Sequence, residues 1–277
     1  MSDPFKVSEP TAISFSGGRT SAYMLWRVLQ SNGGLPDGVE VCFANTGKEM
    51  EETLEFVRDV GVNWNIPIRW IEYRNDSKGY ALVDFETASR NGEPFKEIIV
   101  KRNYLPNPVT RFCTIELKIR PMAKYLVDIG MAETKSAGEN MAMLGMRADE
   151  QRRAAKIEDK SRIPLVTAGV TKRDVGDFWK AQPFDLKLHN NNGVAMHGNC
   201  DLCFLKGANQ VFSLIKEKPE RAVWWASMEA LALASKPSGA VFRSDRPSYQ
   251  RMMNYAHDQS DFITEAQEEA IGCFCGD

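Results

Sequence analysis

Ser14-Phe15-Ser16-Gly17-Gly18-Arg19-Thr20-Ser21 decides how this chain is read. The apolar residues 11–15 lead into it and a helical pattern over 22–30 leaves it, so the order is strand, glycine-rich turn, helix. Glycines let backbone N–H groups approach an anion because no Cβ stands in the way. The helix that follows points unpaired N–H groups and the positive end of its dipole at the same place. Thr20 and Ser21 add hydroxyl donors. The stretch predicts a phosphate cradle, although a glycine pair alone is also what a tight strand-to-helix turn requires.

Working outward, short apolar runs recur at 39–44, 68–72 and 141–145, each bounded by turn residues. Helical patterns over 20–30, 49–60 and 115–129 lie between them. Such alternation predicts an α/β fold: an open, mostly parallel sheet with helices on both faces. Asn32-Gly33-Gly34 and Pro36-Asp37-Gly38 close the first crossover. Ligands of open parallel sheets bind beyond the carboxyl ends of the strands. Residues 16–21, 45–48 and 145–153 should therefore converge on one crevice. After about Gln182 the pattern changes: Asn190-Asn191-Asn192-Gly193 interrupts it, and helical segments are expected at 208–215, 219–234 and 264–270. The division is thus an α/β domain over 1–182 and a helical, cysteine-bearing subdomain over 183–277. Trp224 and Trp225 point to different faces of one helix, which fits core or interface packing better than a base-stacking platform. The chain has no internal repeat and no low-complexity segment.

With 277 residues, 43% hydrophobic content and a net charge of −2, the chain can bury a sizeable core and carries no global field that would draw in a polyanion. A nucleic-acid partner would have to be met by a local basic patch. No apolar run is long enough to span a bilayer, and residues 1–10 are polar and acidic rather than leader-like, so a cytoplasmic location is expected. The six cysteines then argue for metal or redox chemistry rather than a disulfide framework. Cys200-Asp201-Leu202-Cys203 is a C-x-x-C, a spacing that lets one turn present two sulfurs to a single metal or cluster, or form a redox pair. Cys113 follows Arg111-Phe112, Cys273-Phe274-Cys275 lies near the end, and Cys42 sits in an apolar strand as a small core residue. The loop 145–153 is the most basic at the crevice. Its Arg147, Arg152 and Arg153 offer fork-shaped donors suited to phosphate or sulfate, with Asp149 and Glu150 placed to hold them; the plainer reading is a solvated charged face. Arg111 and Lys118 flank Cys113 and would lower its thiol pKa.

Taken in order, five pieces resemble the phosphoadenosine phosphosulfate (PAPS) reductase family: residues 14–21; 43–49 with Glu52-Thr53; Arg111-Phe112-Cys113 with Leu117-Lys118 and Pro121; 145–150 with Arg152-Arg153; and Asn199-Cys200 to Cys203-Phe204. The likeness spans about 11–206. That family is a branch of the adenine nucleotide alpha hydrolases, whose glycine-rich turn is called the PP-loop, and it includes sulfonucleotide reductases and sulfur-transfer enzymes of DNA phosphorothioation.

The resemblance implies that Ser16, Gly17, Gly18, Arg19, Thr20 and Ser21 hold the phosphates of ATP, adenosine phosphosulfate or PAPS. Asn45, Thr46, Gly47, Gly145, Arg147, Arg152 and Arg153 would complete the nucleotide site. Many PP-loops have Asp at the position of Thr20, where it would help place Mg²⁺, and the family has Asp at the position of Asn45, so both departures bear on ATP cleavage. Iron-sulfur members pair a Cys-Cys dipeptide with a later C-x-x-C. Here Phe112 replaces the first cysteine, which leaves Cys113, Cys200 and Cys203, with Cys273 as fourth ligand of a 4Fe-4S cluster or, alternatively, zinc. Cys275 would be the nucleophile, with Arg147 and Lys118 as catalytic cations, although the family's Glu before and His after that cysteine are missing. Sulfonucleotide reduction is the activity implied, with a thiol or thioredoxin-like reductant. The alternatives are ATP-dependent sulfur transfer to nucleic acid, which the net charge does not favour, and a nucleotide sensor or complex subunit that has lost catalysis. An oligomer is compatible with all three.

Overall fold

Strand β1 (Thr11–Ser14) takes an inner place in a five-stranded sheet in the computed structural model, which describes residues 3–191, 194–235 and 240–258. Helix α1 (Arg19–Asn32) follows and stops at Gly33, whose left-handed φ of 73° lets its N–H close on the carbonyl of Leu29. Then come β2 (Val39–Asn45), α2 (Glu51–Asn63) and β3 (Arg69–Tyr73). β1, β2 and β3 run parallel. β4 (Tyr80–Val83) turns back antiparallel to β3 through a loop in which Asp76 accepts from the Gly79 N–H at 2.6 Å.

Helix α3 (Glu93–Arg102) is followed by a continuous helical rod. It is built of α4 (Phe112–Thr114), a π-helical turn (Ile115–Ile119) and α5 (Arg120–Asp128). After α6 (Lys135–Asn140), β5 (Ala142–Leu144) returns parallel to β1, which gives the order β4-β3-β2-β1-β5. Short α7 (Gln151–Ala154) and α8 (Pro164–Thr167) precede α9 (Lys172–Lys180), which starts with a reciprocal Thr171–Asp174 capping box. A two-residue pairing, Asn190–Asn191 with Val194–Ala195, leads to α10 (Ala208–Glu217), α11 (Glu220–Ser235) and α12 (Tyr249–Asp258).

The sheet is open, mostly parallel and covered on both faces, as the alternation of patterns predicts. Consecutive strand residues point to opposite sides. Ile13, Val41, Phe43, Trp70 and Met143 pack with α1, α2 and α9. Their neighbours Ala12, Cys42, Ile71 and Ala142 pack with Met122, Tyr125 and Leu126 of α5. A third cluster joins α10, α11 and α12 to Tyr73, Phe95, Ile98, Phe112 and Leu117, so the apolar core of the C-terminal helices is continuous with α3 and the rod across position 182. Trp225 is fully buried in that cluster, and Trp224 tilts against Phe95 at 5.3 Å between ring centres. The helix expected at 264–270 lies outside the described residues.

Candidate functional site

The glycine-rich turn leaves β1 at Ser14 and enters α1 at Arg19. Gly17 has φ +79°, and a Cβ there would stand 2.7 Å from the Thr53 methyl, so the turn requires glycine on both counts. Gly18 caps α1 without a side-chain hydrogen bond, which leaves the first-turn N–H groups to be met by something else. Ser21 folds back: its hydroxyl donates to the Gly18 carbonyl at 3.0 Å, accepts from the Ser16 N–H at 3.2 Å and lies 2.9 Å from the Ser16 hydroxyl. Gly145, just beyond β5, is pressed against this turn, since a Cβ there would come within 2.7 Å of the Ser21 Cα.

Where β1, β2 and β5 end, a cavity of about 310 Å³ opens, lined by Ser16, Ser21, Gly145, Lys118 and Arg153 at its polar side and by Phe15, Met122, Leu144 and Met146 elsewhere. The three loops expected to converge do not contribute equally: from β2 only Ala44 reaches this cavity. Arg147 bridges two of the loops by donating to the Thr20 hydroxyl at 3.0 Å, and Asp149 and Glu150 hold it at 3.1 Å and 3.8 Å. Arg153 is paired with Glu150 through one terminal nitrogen. Its Nε and its second terminal nitrogen are buried with no hydrogen-bond partner among the described residues. Unmet buried donors are costly, by about 1–3 kcal/mol each. Arg153 as a residue lines the cavity, while these two nitrogens are themselves occluded from it. Arg152 is exposed, and neither it nor Gly17, Gly18, Thr20 or Arg147 lines the cavity. Arg19 is turned to Asp185, which takes its Nε at 2.7 Å and a terminal nitrogen at 2.5 Å. That pairing ties α1 to the segment after α9.

The end of β2 serves a different purpose. Asn45 is fully buried and saturated: it donates to Glu72 at 2.6 Å and to the Ser89 carbonyl at 2.9 Å, and accepts from the Gly47 N–H at 3.1 Å. Gly47, with φ +76°, packs so closely on the Gly92 backbone that a Cβ would stand 3.0 Å from it. The Thr46 hydroxyl lies 3.4 Å from the Cys200 sulfur and 2.9 Å from the Glu49 carboxylate, which in turn stands 3.9 Å from the Lys118 ammonium. Lys48 forms a buried ion pair with Asp201 at 3.2 Å. The cysteine turn is thus docked on the end of β2, the strand next to the one that leads into the glycine-rich turn.

Cys200 and Cys203 occupy that turn, and Cys113 packs against the same apolar cluster. Burial, reinforced by the Glu49 carboxylate, pushes the Cys200 thiol well above its ordinary pKa; Lys118 and the Thr46 hydroxyl oppose this. Cys200 is accordingly a neutral thiol at pH 7 unless a cation joins it. The Cys42 thiol, held between β-strand neighbours, is pushed up by burial and belongs to the core. Among the described residues no group of three His, Cys, Asp or Glu side chains is arranged to hold a metal ion. Cys273 and Cys275 lie outside the described residues. Pattern reading gives no role to Glu49, Glu72, Arg162 or Asp201. The available signal for Asp201 was an acid placed between two cysteines in an otherwise apolar turn.

No family model matches the chain. Over 214 residues it is 32% identical to the uncharacterized nin region protein ORF290 of Escherichia phage lambda, which covers 74% of this chain and 69% of that protein. The chain belongs to the family of that phage protein. An uncharacterized protein of Methanocaldococcus jannaschii is 31% identical over 121 residues, 44% of this chain but 20% of that much longer relative. The family relation therefore rests on the phage protein. No described helix is long and apolar enough to cross a membrane.

Proposed function

We propose that the protein binds an adenine sulfonucleotide in the crevice at the ends of β1, β2 and β5 and reduces it. The observation that carries this reading is the lining of the cavity: the cations Arg153 and Lys118 with Ser16 and Ser21, and apolar wall enough for a nucleoside. Mg²⁺-dependent ATP cleavage is less well served, because Thr20 and Asn45 supply no carboxylate and Asn45 is committed to internal partners. In the proposed step the Cys275 thiolate attacks the sulfur of the sulfonucleotide. The bond from that sulfur to the phosphate oxygen breaks, and the nucleotide leaves with the electron pair. A thiol or thioredoxin-like reductant then displaces sulfite and is left in a disulfide with Cys275. Arg153 and Lys118 stabilise the negative charge that gathers on the leaving phosphate, and Arg147 holds the turn through Thr20. Cys113, Cys200 and Cys203 have the donor chemistry for a 4Fe-4S cluster or zinc, with Cys273 as the fourth ligand; such a group would supply the positive charge that buried thiolates need. The described residues do not by themselves form a three-ligand set.

A second reading, ATP-dependent sulfur transfer to nucleic acid, is favoured by one feature. Between 94 and 124 the chain carries Lys96, Lys101, Arg102, Arg111, Lys118, Arg120 and Lys124 against Glu97 and Glu116, a local basic tract that reaches the cavity through Lys118. Calorimetric binding of PAPS, adenosine phosphosulfate and ATP with Mg²⁺ to anaerobically purified protein, with iron measured on the same batch, separates the readings. Preference for a sulfonucleotide by more than about tenfold, some 1.4 kcal/mol, followed by sulfite release, supports reduction. Preference for ATP, with pyrophosphate release stimulated by RNA or DNA, supports transfer. Tight binding with no turnover would leave a nucleotide sensor.

A further inference from the structure

We infer that Asp201 is a positioning residue: with Lys48 it fixes the Cys200–Cys203 turn against the end of β2, and so sets where Cys200 stands relative to the crevice. Asp201 is completely buried and Lys48 nearly so. One Asp201 carboxylate oxygen accepts from the Trp225 indole at 2.8 Å and from the Leu202 N–H at 2.7 Å. The other faces the Lys48 ammonium at 3.2 Å and the Arg221 Nε at 3.5 Å. The backbone is stitched as well, since the Asp201 N–H donates to the Lys48 carbonyl at 2.7 Å. One residue earlier in the turn and two earlier on the β2 side, the Thr46 hydroxyl meets the Cys200 sulfur at 3.4 Å. The two segments are therefore pinned at two points, 46 with 200 and 48 with 201.

Apolar packing alone would bury this turn, because Leu202, Cys203 and Phe204 are already buried. A desolvated ion pair adds little net stability over well-packed apolar side chains, but it is directional and tolerates only one arrangement. The pair thus specifies position where packing would merely specify burial. Lys48 is held from its other side by the Trp224 ring, 5.0 Å from the ammonium, which leaves it little freedom to choose another partner. The inference rests on the nucleotide reading only for what occupies the crevice.

The test is alkylation by iodoacetamide of the protein as isolated, under anaerobic conditions, with each cysteine followed by mass spectrometry. Asp201→Asn keeps the shape and the acceptor for Trp225 but removes the charge. Cys200 should be alkylated at least tenfold faster than in wild type, with Cys113 within twofold. In the double variant Lys48→Met with Asp201→Leu, apolar packing is restored, so the melting temperature should stay near wild type while Cys200 remains fast. The inference is overturned if Cys200 is unchanged in Asp201→Asn, if Cys113 accelerates equally, or if the double variant returns Cys200 to its wild-type rate. Should Asp201→Asn fail to fold, the double variant decides alone. Repeating the series with adenosine phosphosulfate and with ATP addresses the separate question: no binding of either to wild type counts against the nucleotide reading and leaves the alkylation result standing.

Discussion

The crevice and the cysteine turn lie at the same end of one sheet and are built in opposite ways. Around the crevice, Arg153 keeps two buried donors unmet and α1 begins without a side-chain cap. Around the cysteine turn, Asn45 is saturated from within the chain, and Asp201 is held by hydrogen bonds at one carboxylate oxygen and by ion pairs to Lys48 and Arg221 at the other. Unmet donors cost stability and are met only where a ligand or a side-chain shift brings them an acceptor. A network met by internal partners fixes geometry in advance. On the proposed reading, one region receives a ligand and the other holds the cysteines in place.

The sharpest way to break this contrast is to unbalance the saturated side. Asp201→Ala should lower unfolding free energy by about 3–5 kcal/mol, because it leaves the Lys48 ammonium buried without its partner, and urea denaturation would measure it. A loss under about 1 kcal/mol would mean that water reaches the pair. Next in size, Gly17→Ala places a Cβ at φ +79° and 2.7 Å from the Thr53 methyl, so a loss of about 2–3 kcal/mol is expected in the same assay, together with loss of nucleotide binding. The receiving side should respond differently. Arg153→Met is expected to weaken nucleotide binding by about tenfold to thirtyfold, near 2 kcal/mol, with an unchanged or higher melting temperature, because it removes donors that the empty protein leaves unmet. A lower melting temperature with unchanged affinity would erase the distinction between the two regions.

The smallest effect concerns Glu229, beneath the cysteine turn. Its carboxylate accepts from the N–H of Tyr249 at 2.8 Å and of Phe242 at 3.3 Å, and the Tyr249 hydroxyl donates to the Leu202 carbonyl at 2.6 Å. Burial raises its pKa from 4.5 to about 6. The folded state thus holds this proton more tightly than the unfolded chain. The group's contribution is complete below pH 4.5 and is lost as pH rises through 6, by about 2 kcal/mol at most. Glu229→Gln should flatten the stability profile across that window, as measured by urea midpoints at pH 4.5 and 7; an unaltered profile would assign the slope to other groups.

Much of the architecture was legible in the sequence because its signals are local. The apolar runs that became β1, β2, β3 and β5 lie within a residue or two of their expected bounds, and the parallel order follows from the helices between them. β4 and α3 were among the elements missed, as were α6, α9 and α12. Tyr80–Val83 is a four-residue strand whose Leu82 is exposed, so it lacks a buried run, and it exists by pairing with β3. α3 opens on Gly92-Glu93-Pro94, which reads as a turn until Phe95, Ile98 and Ile99 are seen to share a cluster with the C-terminal helices. Of the residues expected in the crevice, Ser16, Ser21, Gly145 and Arg153 line the cavity and were legible from type and spacing. The outward turn of Arg19 and the internal commitment of Asn45 were not, because each depends on a partner remote in sequence, Asp185 or Glu72.

By itself, then, the sequence determined the glycine-rich turn. Glycine at positive φ, hydroxyls one helical turn away and an apolar strand leading in are properties of adjacent residues, and backbone sterics leave them few alternatives. Only the tertiary structure decided where the cysteines stand. Thr46 and Cys200 are 154 positions apart, and Lys48 meets Asp201 over a comparable span. A contact of that separation leaves no periodicity in the chain. It is fixed by the burial of charge, which is tolerated only where the opposite charge is already waiting.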